Sequence, residues 1–190
     1  MKQIALTFDD GPDGTFTPRL LDVLADAGAR ATFFPIAPRA AEHPRLIERM
    51  LADGHAVGLH CNEHVRHSAR DADWLRRDTG RALARLRELG VRPGLWRTPW
   101  GDQAAWTEPL AAEVGLRLIG WTADTHDWRG DGAPAMFAGT RAQLVDGAIV
   151  LAHDGLGPGA RRDGAAETIA FAGLVIDHAR RNGIALRSLA

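Results

Sequence analysis

Gln3-Ile4-Ala5-Leu6-Thr7-Phe8-Asp9-Asp10-Gly11-Pro12 opens the chain with a short apolar run that stops at two adjacent carboxylates and a forced turn. Residues 3–8 read as a buried β-strand, and side chains alternate along a strand. Asp9 and Asp10 are therefore expected to leave its C-terminal end in opposite directions and to hold different jobs, one binding a metal and the other moving a proton. An acidic turn capping the next helix is the competing reading, since Asp-Gly and Gly-Pro are ordinary loop punctuation.

Working outward from this strand, short apolar runs alternate with longer amphipathic segments, the pattern of a parallel sheet covered by helices. Strands are predicted at 4–8, 31–34, 56–60, 94–97, 116–121, 148–153 and 184–188. Helices are predicted at 18–27, 44–53, 73–89, 103–113, 140–146 and 164–182. Glycines at 28, 54, 90 and 115 follow helical stretches closely, as helix-terminating glycines do. Repeated strand and helix units leave a doubly wound open sheet or a closed barrel. No glycine-rich phosphate loop follows the first strand, which counts against a dinucleotide fold. An eight-fold barrel usually takes about 250 residues, so a barrel here has to be trimmed or irregular.

The 190 residues fit one domain, 1–190, with 45% hydrophobic residues to fill a single core. Twenty-three basic residues against 24 acidic ones leave a net charge of −1, which gives no field to steer the chain toward nucleic acid or an anionic membrane. Cys61 is the only cysteine, so no intrachain disulfide can form. Met1-Lys2 runs straight into the first strand without a signal-peptide stretch, and no window approaches a membrane span. Cytoplasmic placement is the expectation, although a secreted chain trimmed of its leader has the same start.

The third strand runs into His60-Cys61-Asn62-Glu63-His64. Two imidazoles four residues apart share a face on a helical turn and can grip one metal ion. His67 extends the cluster as a substitute ligand, whereas Cys61, next to His60, is expected to be packed. Three later segments end at strand termini: Trp96-Arg97-Thr98-Pro99-Trp100-Gly101, Trp121-Thr122-Ala123-Asp124-Thr125-His126-Asp127-Trp128, and Leu151-Ala152-His153-Asp154. Each alone has an ordinary structural explanation, but together they place ionisable groups repeatedly on the sheet edge where parallel folds build their sites.

Thr7-Phe8-Asp9-Asp10-Gly11-Pro12, His60 with His64, Arg97-x-Pro99-x-Gly101, Asp124-x-x-Asp127-Trp128 and Leu151-x-His153 resemble, in order and spacing, the five motifs of the polysaccharide deacetylases, a family of carbohydrate esterases. The resemblance implies an α/β fold, a distorted, incomplete (β/α) barrel with about seven parallel strands. It also implies metal-dependent removal of N- or O-acetyl groups from a sugar or polysaccharide. Carried over residue by residue, it makes Asp10, His60 and His64 the ligands of one divalent ion, zinc first, with cobalt or nickel as substitutes. Asp9 becomes the general base, Arg97 the residue that orients it, His153 the general acid and Asp124 the residue that tunes His153. Pro99, Trp100, Trp128 and Leu151 are placed against the substrate. Two imidazoles and one carboxylate leave coordination positions open, as a catalytic zinc requires.

The motifs are not reproduced in full. Val65 stands where a proline often follows the second histidine, Cys61 replaces a common hydroxyl residue, and Trp100 takes a place often held by tyrosine. These departures touch the choice among chitin-like, peptidoglycan, xylan or small-sugar substrates more than the reaction. Trp100 and Trp128 are read as cleft residues, with flat faces suited to a pyranose ring, and Trp96 and Trp121 as core. Two rival readings are a hydrolase of the same fold acting on a cyclic amide or ureido C–N bond, disfavoured by His60 and His64, and a noncatalytic carbohydrate-binding relic, disfavoured by Asp9 and His153.

Overall fold

The computed structural model describes residues 2–189. β1 (Gln3–Asp9) lies at the centre of a parallel sheet, between β2 (Thr32–Phe34) and β7 (Ala148–His153). β3 (Ala56–Val57) extends the sheet beyond β2, β6 (Ala123–Asp124) extends it beyond β7, and β8 (Ala185–Leu186) joins the start of β1. β4 (Leu95–Trp96) and β5 (Arg117–Leu118) form a separate parallel pair. A single parallel bridge between Leu59 and Trp96 carries the curvature from the end of β3 to β4. No pairing joins β5 to β6 among the described residues, so the barrel stays open along that seam.

The expected incomplete barrel is present, with one strand more than predicted. Of the apolar run 116–121 only Arg117–Leu118 forms a strand, β5; β6 begins past the run at Ala123, and between the two the chain leaves the sheet. There it gives carbonyls to a buried cation: Arg97 donates from Nε to Ile119 O (3.4 Å) and from Nη2 to Gly120 O (2.9 Å). Arg97 is fully buried, and its guanidinium lies 4.4 Å from the Phe34 ring centroid. A side chain thus partly fills the place of the missing ladder.

Five helices fall near their predicted positions: α1 (Phe16–Ala27), α3 (Pro44–Ala52), α4 (Ala72–Glu88), α5 (Thr107–Glu113) and α7 (Ala166–Arg181). The Asp71 carboxylate caps α4 by accepting the Trp74 N–H at 2.7 Å. Gly28, at φ 61°, closes α1 in the left-handed conformation that glycine adopts most easily. The sequence reading misses α2 (Ala37–Glu42), whose single short stretch carries no readable period. It places a helix at 140–146 where only a 3₁₀ turn exists (Arg141–Gln143), and overlooks α6 (Ala133–Thr140) just before it, where Gly, Pro and Ala look like loop. Among the described residues no helix is long and apolar enough to cross a membrane.

β1 divides the core by its alternation. Ile4, Leu6 and Phe8 join a large cluster with Leu20, Leu21 and Leu24 of α1 and Phe171 and Val175 of α7. Thr7 and Asp9 point to the other side, toward Arg97, above a small interior cluster of Phe34, Leu95 and Ile119. Register places Asp9 beside Phe34 on one flank and beside His153 on the other. Leu6 has no exposed surface. Leu6→Ala is expected to lower unfolding stability by about 2–5 kcal/mol, through lost burial and an unfilled cavity, seen as a lower urea midpoint with unchanged slope.

Candidate active site and metal centre

β1 ends at Asp9, and Asp10 turns into the left-handed region at φ 70°. That turn breaks strand alternation, so the two carboxylates do not point to opposite sides. Both line one cavity of about 350 Å³. His60 and His64 follow β3 and line it too. They do not ride on a helical turn as the spacing suggested. The segment is a tight loop whose amides at Asn62 and Glu63 donate to the buried Asp78 carboxylate of α4 (3.1 and 3.0 Å), and this brings the two rings to 5.1 Å between centroids. Burial raises the Asp78 pKa above its ordinary range, with Asn62 and Glu63 opposing.

Asp10 Oδ1 lies 3.2 Å from Nε2 of His60 and 3.2 Å from Nε2 of His64. His60 Nδ1 is 2.7 Å from the Arg97 carbonyl, a partner that can only accept, so Nδ1 carries the proton and Nε2 presents its lone pair to Asp10. A lone pair therefore faces a carboxylate oxygen that is buried and receives no directed hydrogen bond. Such an arrangement is stable only with a cation or an added proton among the ligand atoms, which all lie within 4.8 Å of one another. One carboxylate oxygen and two imidazole nitrogens are a donor set suited to zinc, and the residues fit the ion. Burial works against the Asp10 charge, but the imidazoles of His60 and His64 hold its pKa well below the usual carboxylate range.

Beside this cluster, Asp9 Oδ1 accepts from Arg97 Nη1 at 2.9 Å, and the same nitrogen donates to Thr7 Oγ1 at 2.6 Å. Arg97 thus holds Asp9 from inside the barrel. On the neighbouring strand end, His153 Nδ1 pairs with a carboxylate at 2.7 Å, and that carboxylate belongs to Asp127. Asp124 instead accepts from the His126 amide (2.8 Å) and stands 3.0 Å from His126 Nδ1. The turn after β6 passes through His126 at φ 52°, and this swings Asp127 under His153 while Asp124 stays at the strand edge. Asp127 Oδ2 also receives the His153 amide, Thr168 Oγ1 and Arg162 (2.9, 2.7 and 3.1 Å). Burial disfavours the His153 charge, but the Asp127 carboxylate more than offsets it, with Asp9 and Asp10 adding, and raises its pKa to about 9.

The cavity wall includes Trp100, Trp128 and Leu151. Trp100 stands at φ 54°, with its ring edge-on to His64 at 4.2 Å. Pro99 does not reach the wall; it is buried and starts the turn that presents Trp100. Trp121, expected in the core, also lines the cavity, whereas Trp96 is buried and donates from Nε1 to His60 O. His67 lies outside the Asp10, His60 and His64 cluster: burial lowers its pKa to about 4, and its Nδ1 meets Thr107 Oγ1 at 3.1 Å. Cys61 is buried, as expected. The sequence gives little sign of Arg162 and the glycine-rich stretch from Gly155 to Ala160, which close the cavity from the side of β7.

The family model for polysaccharide deacetylases matches residues 1–119. A chitooligosaccharide deacetylase of Sinorhizobium fredii is 37% identical over 164 residues, covering 82% of this chain and 73% of that protein. The peptidoglycan-N-acetylglucosamine deacetylase PgdA of Listeria monocytogenes is 37% identical over 156 residues, covering 80% of this chain, which spans only 32% of the Listeria protein. Among solved structures, the Bc1960 peptidoglycan N-acetylglucosamine deacetylase superposes with a TM-score of 0.90 at 27% identity, covering 98% of this chain and 86% of that one. A family 4 carbohydrate esterase from Streptomyces lividans, in complex with acetate, gives 0.87 at 26% identity, covering 100% and 97%. With most of its length matched in both sequence and fold, this chain belongs to the polysaccharide deacetylase family.

Proposed function

We propose that the protein is a metal-dependent deacetylase that hydrolyses the N-acetyl group of an acetylated sugar in an oligo- or polysaccharide. The observation that carries this reading is the juxtaposition of three features on one cavity: the Asp10, His60 and His64 cluster, the Asp9–Arg97 pair and the Asp127–His153 pair. Relatives named for peptidoglycan N-acetylglucosamine and for chitooligosaccharide support an N-acetylated sugar as substrate.

Asp10, His60 and His64 would hold one divalent ion, zinc for preference. When bound, that ion supplies Lewis acidity, making water easier to deprotonate and the acetyl carbonyl more electrophilic. Asp9, oriented by Arg97, takes the proton from the attacking water as the new C–O bond forms. The backbone N–H of Trp100 is assigned to the oxygen on which negative charge develops. Collapse of the tetrahedral species breaks the C–N bond, and His153 gives its proton to the departing amine, leaving acetate and a free amino sugar. Asp127 replaces Asp124 as the residue that tunes His153. Trp100 and Trp128 offer faces for pyranose rings at the mouth of the cavity.

Zinc- or cobalt-loaded protein is expected to release acetate from N-acetylglucosamine oligomers, and a chelator to abolish the release. Acetylated xylan is the control that distinguishes O- from N-deacetylation. Asp9→Asn should cut kcat by about 10²–10⁴-fold with zinc still bound; unchanged turnover would remove Asp9 from its role.

The tuning of His153 has its own test. Its acid form is lost as pH rises through its pKa, so a raised pKa extends activity toward alkaline pH. Asp127→Asn removes the carboxylate that raises it, and the His153 pKa should fall by about 1–3 units. NMR titration of the metal-free protein reads the pKa directly, and the alkaline limb of kcat/KM should move to lower pH in step.

A further inference from the structure

Asp10 is held differently from the two histidines. Its backbone sits at φ 70°, a conformation that non-glycine residues adopt only at a cost. Its amide meets Phe34 O at 3.3 Å, and its strand ends one residue earlier. Something else must keep its carboxylate aimed at the histidines. The Asp10 carbonyl accepts from Nη1 of Arg39 at 2.7 Å, and Nη2 of the same guanidinium donates to the Leu156 carbonyl at 2.9 Å. Arg39 lies on the short α2, and Leu156 lies more than a hundred residues downstream, in the segment after β7.

Leu156 is flanked by two glycines whose backbone runs close against Asp10. A Cβ on Gly155 would lie 2.5 Å from the Asp10 carbonyl oxygen, and one on Gly157 would lie 2.0 Å from Asp10 Oδ2. The backbone of this segment therefore forms a wall against one carboxylate oxygen, leaving Oδ1 to face His60 and His64. A planar guanidinium reaches two carbonyls in a fixed fork, which a lysine ammonium on its flexible stem does not reproduce.

We propose that Arg39 is a positioning residue for the metal centre: it ties the Asp10 backbone to the 155–157 segment, and that segment sets the direction in which the carboxylate offers its free oxygen. The inference rests on the reading that Asp10, His60 and His64 hold the metal, and zinc binding by the unaltered protein tests that reading first.

The test is zinc titration calorimetry on chelator-stripped protein, comparing the unaltered chain with Arg39→Gln, Arg39→Lys and Gly157→Ala. Removing a partner that orients a ligand typically weakens metal binding by about 10–100-fold, and that loss is expected for Arg39→Gln. Arg39→Lys is expected to recover only part of it, because it keeps the charge but not the fork. Gly157→Ala should weaken binding with Arg39 in place. Amide exchange at 155–157 should quicken in both Arg39 variants, and the visible spectrum of the cobalt form should change. A generic structural role would lower the melting temperature of metal-free protein and leave the zinc Kd unmoved; that result in either Arg39 variant overturns the proposal. If Arg39→Gln does not fold, Arg39→Lys and Gly157→Ala carry the decision. Absence of zinc binding by the unaltered chain would instead defeat the metal reading itself.

Discussion

A buried carboxylate oxygen set between two imidazole nitrogens is an arrangement that neutral protein groups alone do not satisfy. Asp10 Oδ1 occupies that position between Nε2 of His60 and Nε2 of His64, and the carbonyl of Arg97 fixes the His60 tautomer that turns its lone pair toward the carboxylate. A cation resolves it by accepting all three donors. Much of the surrounding structure serves to keep these atoms converged: Asp78 draws in the loop that carries His64, and the left-handed turn at Asp10 rotates its carboxylate into the cavity that strand alternation would deny it.

The proton-transfer groups depend on buried charge in a similar way. Asp9 and His153 are neighbours in strand register, yet each is held by a partner of opposite charge on its far side. Arg97 also occupies the seam where, among the described residues, β5 and β6 do not pair, and it donates there to the carbonyls of Ile119 and Gly120. One residue therefore links the openness of the barrel to the placement of the base. Removing it would leave Asp9 buried without its cation and two carbonyls without donors, a combination that costs several kcal/mol.

Much of this was legible in the sequence because the chemistry sits where strand patterns stop. Asp9, Asp10, His60, Arg97 and His153 each follow an apolar run, and period-two patterning reports run ends well. What escaped depends on backbone turns that residue types do not announce. Asp124 and Asp127 are equally placed by spacing, and only the positive φ at His126 decides that Asp127 lies beneath His153. Asp9 and Asp10 face one cavity for the same kind of reason. The Arg39 bridge joins segments 29 and 117 residues away, a contact that local pattern cannot reveal. Trp121 looked like core because it ends an apolar run, but the run leaves the sheet before reaching it.

The proposed reaction depends on an ion binding where the ligand atoms of Asp10, His60 and His64 converge. Anomalous scattering at the zinc edge from crystals of zinc-loaded protein tests that point most directly. The account predicts one strong peak within bonding distance of Asp10 Oδ1, His60 Nε2 and His64 Nε2 together. A crystal that takes up zinc elsewhere, leaving those three atoms in mutual contact with no peak between them, would contradict it.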